Sequence, residues 1–195
     1  MRTVAIAVFV FCLGWMQPAR AVDVDIDRSL ILVAAPELYD PLYGAAVLVV
    51  TPIGGDEHVG FIVNRPTTTR LENLFPEHAP SRKVVDPIYL GGPVEPGVIF
   101  ALVQRKSSPG EHSIEMAPGL YAAYEGAVVE GIIRSDPQHA RFMAGLVAWR
   151  TGELREEIQR GAWYVLEPDA ALVMRKPEGL WEELVRRSQS IRNAI

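Results

Sequence analysis

Two neighbouring polar residues, Asn64 and Arg65, close an apolar run, His58-Val59-Gly60-Phe61-Ile62-Val63, and Pro66 follows at once. Asparagine offers both a donor and an acceptor, and arginine a planar fork suited to a carboxylate or a phosphate. Further along, Ile88-Tyr89-Leu90 ends in Gly91-Gly92-Pro93-Val94-Glu95. A glycine pair can present backbone N–H groups to an anion. If both runs are strands ending side by side, Asn64, Arg65, Gly91, Gly92 and Glu95 form one candidate binding site for a small anionic ligand. The same residues also suit a structural use. Asn64 then caps a turn, Arg65 pairs with a carboxylate such as Asp40 or Glu95, and the glycines make a tight turn needing positive φ beside Pro93.

Other chemistries have weaker support. His58, His78, His112 and His139 are widely spaced and form no HExxH pair, so a metal site would have to gather His58 and His78 with acidic neighbours in three dimensions. Gly91-Gly92-Pro93 is neither a P-loop nor a dinucleotide fingerprint, and no Gly-x-Ser-x-Gly elbow is present. Ser29, Ser81 and Ser135 read as turn or edge residues. Aspartate and glutamate are abundant, so a carboxylate pair in the same cleft, Asp40 and Glu95 among the candidates, is the enzymatic alternative: a hydrolase or isomerase. No catalytic residue, metal or cofactor is assigned. Trp149, Trp163 and Trp181 are expected in the core or in helix packing.

The elements that must position these residues begin after a leader. Met1-Arg2 precedes an apolar run, Val4 to Met16, which Gln17-Pro18 breaks before Ala19-Arg20-Ala21. This is the layout of a secretory signal over residues 1–21, cleaved after Ala21, and it places the mature chain in the periplasm or outside the cell. A membrane anchor is the alternative, but the run falls short of the ~20 residues that span a bilayer. The only cysteine, Cys12, lies in the leader, so the mature chain has no disulfide framework and no thiol nucleophile. Without Arg2 and Arg20 the chain carries 17 basic against 24 acidic residues, and its net charge falls from −5 to −7. Such a chain is a poor ligand for nucleic acid or an anionic membrane.

Residues 22–28 alternate apolar and acidic side chains and are expected as an exposed lead-in. Strands are expected over 29–35, 44–51, 58–63, 88–90, 98–103, 142–149 and 163–166, with a hairpin at Pro52 to Glu57. A helical turn is expected at Leu71 to Phe75, and a helix capped by Thr151 over Gly152 to Arg160. Over Tyr121 to Ile133 the apolar spacing favours a helix. A C-terminal helix after Pro177 carries Leu180, Trp181, Leu184 and Val185 in one stripe. The fold class is α+β: one domain with helices on a mostly antiparallel or mixed sheet.

Taken in order, Leu30 to Pro36 with Asp40-Pro41, Gly60 to Pro66, Gly91-Gly92-Pro93-Val94, Trp149 with Gly152-x-Leu154-x-x-Glu157, and Ala162-Trp163 resemble the AlgH/YqgE family of bacterial proteins, across roughly Ser29 to Arg187. The resemblance implies a domain over 29–190 whose sheet curls into a pseudo-barrel flanked by helices. It implies no catalytic residue and no cofactor, since the family's biochemical role is largely undefined. One member gave the family its name as a presumed regulator of alginate synthesis. The chain departs from the family pattern in three ways. It has Gly145-Leu146-Val147-Ala148-Trp149 for Gly-Tyr-x-Gly-Trp, Gly152-Glu153-Leu154 for Gly-Gln-Leu, and a leader where members are usually cytoplasmic. The resulting expectation is an exported, non-catalytic protein that binds a partner protein or a small anionic ligand near Asn64-Arg65 and Gly91-Gly92. The carboxylate enzyme is one alternative. A transcription-related regulator acting through protein contacts is another, if the chain stays in the cytoplasm.

Overall fold

The computed structural model describes residues 24–192, so the expected leader, residues 1–21, lies outside it. The strands are β1 (Leu30–Ala34), β2 (Val47–Gly54), β3 (Glu57–Ile62), β4 (Pro66–Arg70), β5 (Pro87–Leu90), β6 (Val94–Gln104), β7 (Ser113–Ala117), β8 (Leu120–Ala123), β9 (Ala140–Trp149) and β10 (Trp163–Leu166). The helices α1 (Leu71–Leu74), α2 (Gly126–Ser135) and α3 (Glu153–Gln159) lie between strands, and α4 (Ala170–Val173) and α5 (Leu180–Arg192) follow β10.

The strand order is β10-β1-β2-β3-β9-β6-β8-β7, and all these pairs are antiparallel. β9 is the spine. One edge pairs with β6, while the other serves β5, in parallel, at Met143 and Ala144, and then β3 at Val147 to Trp149. β4 continues from β3 and pairs with β5. The sheet curls, and the Thr51 hydroxyl of β2 donates to the Glu115 carbonyl of β7 at 3.2 Å across the curl.

β1 is buried at every position, which is why its sequence is an unbroken apolar run instead of an alternating one. Ile31 and Val33 join the enclosed core, which α4 and α5 fill with Leu172, Leu180, Leu184 and Val185. Leu30 and Leu32 face the other way, into a layer with Trp149, Leu154 of α3 and Trp163. A third layer packs Val129, Ile132 and Ile133 of α2 against Val103 and Phe142. Each such fully buried side chain is worth about 1.5–3 kcal/mol of transfer free energy.

The α+β architecture with a curled, mostly antiparallel sheet agrees with the sequence reading, and the differences are local. The lead-in is exposed at Asp25, Asp27 and Arg28, but Ile26 is buried and anchors it to the outer layer. Tyr121 to Ile133 is not one helix. Leu120–Ala123 pairs with β6 and β7, and α2 starts only at Gly126. Thr151 does not cap α3. Gly152, at φ 83°, holds that position, and the Thr151 hydroxyl donates to the Gly55 carbonyl at 2.9 Å, tying α3 to the β2–β3 hairpin.

Gly91 and Gly92 are not needed for positive φ. A Cβ on Gly91 would lie 2.2 Å from the Gly145 carbonyl oxygen, and one on Gly92 2.2 Å from the Leu146 carbonyl group. The left-handed residue is Gly145 itself, at φ +70°, opposite a wide bulge. The ladder jumps from Val94↔Leu146 to Ile99↔Ala144 and leaves Glu95 to Val98 outside it. Backbone sterics therefore demand glycine at three positions around one kink. Gly92→Ala is expected to cost about 3 kcal/mol or more. Gly97→Ala, whose added carbon meets nothing within 4 Å, is expected to stay within about 0.5 kcal/mol of the parent. Urea unfolding followed by tryptophan fluorescence checks both.

Candidate functional site

The two strand ends do meet. The Ile62 amide donates to the Gly91 carbonyl at 2.9 Å, and the Leu90 amide to the Arg65 carbonyl at 2.8 Å. The side chains of the pair, however, turn towards the β1–β2 connection. Asn64 accepts from the Val47 amide and donates to the Ala45 carbonyl, each at 2.9 Å. The Arg65 guanidinium donates to the Gly44 carbonyl, and among the described residues no carboxylate pairs with it. Asp40 is engaged in that same connection, where its carboxylate accepts from the Leu42 and Tyr43 amides. The Gly91 amide donates to the Ala144 carbonyl at 2.8 Å. Glu95 stands exposed on the bulge at φ 51°. The structure thus brings Asn64, Arg65 and Gly91 together; the Asn64 amide, the Gly91 N–H and one arm of the Arg65 guanidinium bind the chain's own backbone, while Arg65 Nε is buried without a hydrogen-bond partner among the described residues.

Sequence reasoning missed the most buried cation. Arg141 is 5% exposed, and its guanidinium donates to the carbonyls of Val63 (3.0 Å), Val173 (2.6 Å) and Arg175 (2.8 Å). Its charge lies 4.2 Å over the Tyr89 ring, a contact worth about 2 kcal/mol when desolvated. Burial pulls the guanidinium below the ordinary arginine range and pushes the Tyr89 hydroxyl above that of tyrosine. The available signal was one arginine inside an otherwise apolar strand.

Three residues of the quoted motifs form a second polar cluster. Trp149 and Trp163 both donate their indole N–H to the same oxygen of Glu157, at 3.0 and 2.8 Å. Tyr43 meets the Trp163 ring edge-on, and burial raises its hydroxyl, with Glu157 and Asp40 adding to the effect. Trp181 donates to the Ala34 carbonyl at 2.8 Å. All three tryptophans therefore pack as expected.

His58 and His78 do not converge. His58 is fully buried and donates from Nε2 to the Ile26 carbonyl at 2.8 Å. His78 shares a hydrogen bond between Nδ1 and the Ser81 hydroxyl at 2.7 Å, and its Nε2 lies 3.6 Å from Glu130. Ser81, His78 and Glu130 line up as a nucleophile, base and acid would. Ser81, however, is 0% exposed within its own 3₁₀ turn, so no substrate can reach it.

Two open, mainly apolar concavities lie elsewhere. A cleft of about 460 Å³ runs between α2 and the β6 bulge, lined by Phe75, Val98, Ile99, Tyr124, Val129 and Ile133. His78 and Glu130 complete its wall. A second, of about 500 Å³, opens among Ile53, Phe61, Phe100, Ile114, Tyr124 and Leu146. Tyr124 belongs to both.

Comparison with known proteins agrees with this architecture. A family profile described as AlgH-like matches residues 31–191. A UPF0301 protein of Streptomyces coelicolor is 30% identical over 167 residues, covering 82% of this chain and 85% of the relative. Another, from Streptomyces avermitilis, is 29% identical over 82% of this chain and 86% of its own length. Among solved structures, the AlgH protein from Pseudomonas aeruginosa superposes with a TM-score of 0.69 at 22% identity, covering 89% of this chain and 93% of the other. A protein from Corynebacterium diphtheriae superposes at 0.68 and 22% identity, covering 84% and 88%. At these identities the structural likeness establishes the fold alone.

Glu157→Leu removes the shared acceptor and leaves two indole donors without it. The expected loss is about 1–3 kcal/mol, with a shift in tryptophan emission. Asn64→Ala removes two backbone bonds at the joint and is expected to destabilise by a similar amount. Thermal unfolding monitored by circular dichroism checks both.

Proposed function

The chain belongs to the AlgH-like family, and from that membership and the site geometry we propose that it is an exported, non-catalytic binding protein that acts through contact with a partner protein. The observation that carries this reading is the pair of solvent-open apolar clefts meeting at Tyr124. Concave, mainly apolar surface is the usual character of a binding site. Asn64, Arg65 and Asp40 are held in hydrogen bonds to the chain's own backbone, which favours a partner protein over a small anion at that joint. The apolar run followed by Ala19-Arg20-Ala21 supports export.

Two measurements test the reading. An alkaline phosphatase fusion after Ala21 is expected to be active in intact cells; an inactive fusion held in the cytoplasm removes the export part. Purified protein screened against generic esters, phosphate esters and glycosides is expected to show no turnover. Turnover abolished by Glu95→Gln or Asp40→Asn, with the fold retained, establishes the carboxylate enzyme instead.

A further inference from the structure

Beyond protein contact, we infer that the cleft between α2 and the β6 bulge is a site for a small, neutral, mainly hydrocarbon molecule that carries one hydroxyl group. The cleft lies on the sheet face that α2 covers, with Ile99, whereas the next residue, Phe100, belongs to the enclosed core.

The glycines carry the inference. Most glycines of this fold are fixed by a positive φ or by close backbone approach. Among the described residues only Gly97, Gly126 and Gly131 have neither constraint, and an added Cβ at each meets nothing within 4 Å. Gly97 and Gly126 line this one cleft from opposite walls, the β6 bulge and the start of α2. Glycine is a poor helix former, so the helix gains nothing from it at Gly126. What the two bare positions leave is open space in the hollow.

The walls define the body of the ligand. Gly126, Val129, Glu130 and Ile133 fall at i, i+3, i+4 and i+7, one stripe of α2. The hollow between this stripe and Val98 and Ile99 is about 460 Å³, within the range of small-molecule sites. Phe75 and Tyr124 border it as half-exposed aromatics, a composition that suits a ring.

The polar groups define its head. Glu95 to Val98 pair with neither β9 nor β8, so the N–H and C=O groups of Gly97 and Val98 are free of ladder partners at the cleft. On the other wall, Glu130 accepts from Arg134, which holds its carboxyl below the ordinary carboxylate range, and His78 Nε2 lies 3.6 Å from it. A carboxylate compensated in this way calls for no further cation, and it repels an anion. Its remaining lone pairs still accept from a hydroxyl, which can also accept from a backbone N–H.

The test titrates ¹⁵N-labelled protein with 2-naphthalenemethanol and, on the same ring, with 2-naphthoic acid and 2-naphthylmethylamine. The alcohol is expected to shift amides of residues 97–99 and 126–133 saturably, and to bind roughly fivefold more tightly than either charged analogue. Gly126→Leu fills the hollow. It is expected to weaken binding roughly tenfold or more, with an unchanged circular dichroism spectrum and a thermal midpoint no lower than the parent's. Gly97→Leu is the matching variant on the opposite wall. Absence of a saturable shift, equal or tighter binding of a charged analogue, shifts confined to other residues, or binding that survives both variants overturns the proposal. Any of these leaves the contact reading standing, whereas turnover in the substrate screen overturns that reading and not this site.

Discussion

The buried guanidinium of Arg141 is the interaction on which the rest depends. It joins the end of β3, the end of α4 and the approach to α5 to the central strand, through the carbonyls of Val63, Val173 and Arg175. Taking a cation out of water costs several kcal/mol, and carbonyl dipoles with an aromatic face offset that cost only when all are in place. The residue therefore makes the enclosed core an all-or-none object. α4 and α5 dock where their carbonyls complete the shell, and Tyr89 is fixed beneath the charge.

Around that shell, close backbone approach does the remaining work. Gly91, Gly92 and Gly145 let three chain segments pass within distances that no side chain permits. Opposite the kink at Gly145 residues 95–98 lie outside the β6–β9 ladder, and two of them, Gly97 and Val98, line the cleft. The candidate binding surface is thus a by-product of how β9 is bent, while the polar joint at Asn64 and Arg65 holds the β1–β2 connection in place.

The sequence carried seven of the ten strands, all but β4, β7 and β8, because continuous apolar runs and proline stops are local signals. Asn64-Arg65-Pro66 was legible as a joint because its chemistry is short-range. β7 and α4 were not legible: β7 is five residues interrupted by Glu115, and α4 is one turn set by the Asp169 cap. The clefts were illegible for a different reason. They depend on Val94 lying opposite Leu146 and Ile99 opposite Ala144, a register between distant segments that neither segment announces. Arg141 was visible as a residue, but its three acceptors come from parts of the chain that only the fold brings near it.

β1 takes its second neighbour from β10, with Ile31 opposite Leu166 and Ala34 opposite Trp163. The first strand among the described residues therefore keeps an open edge until almost the whole chain exists. Contacts of such long sequence separation slow folding and postpone it until synthesis is over. A chain built this way closes its sheet only once the segment that carries both Glu157 and Trp163 has been made.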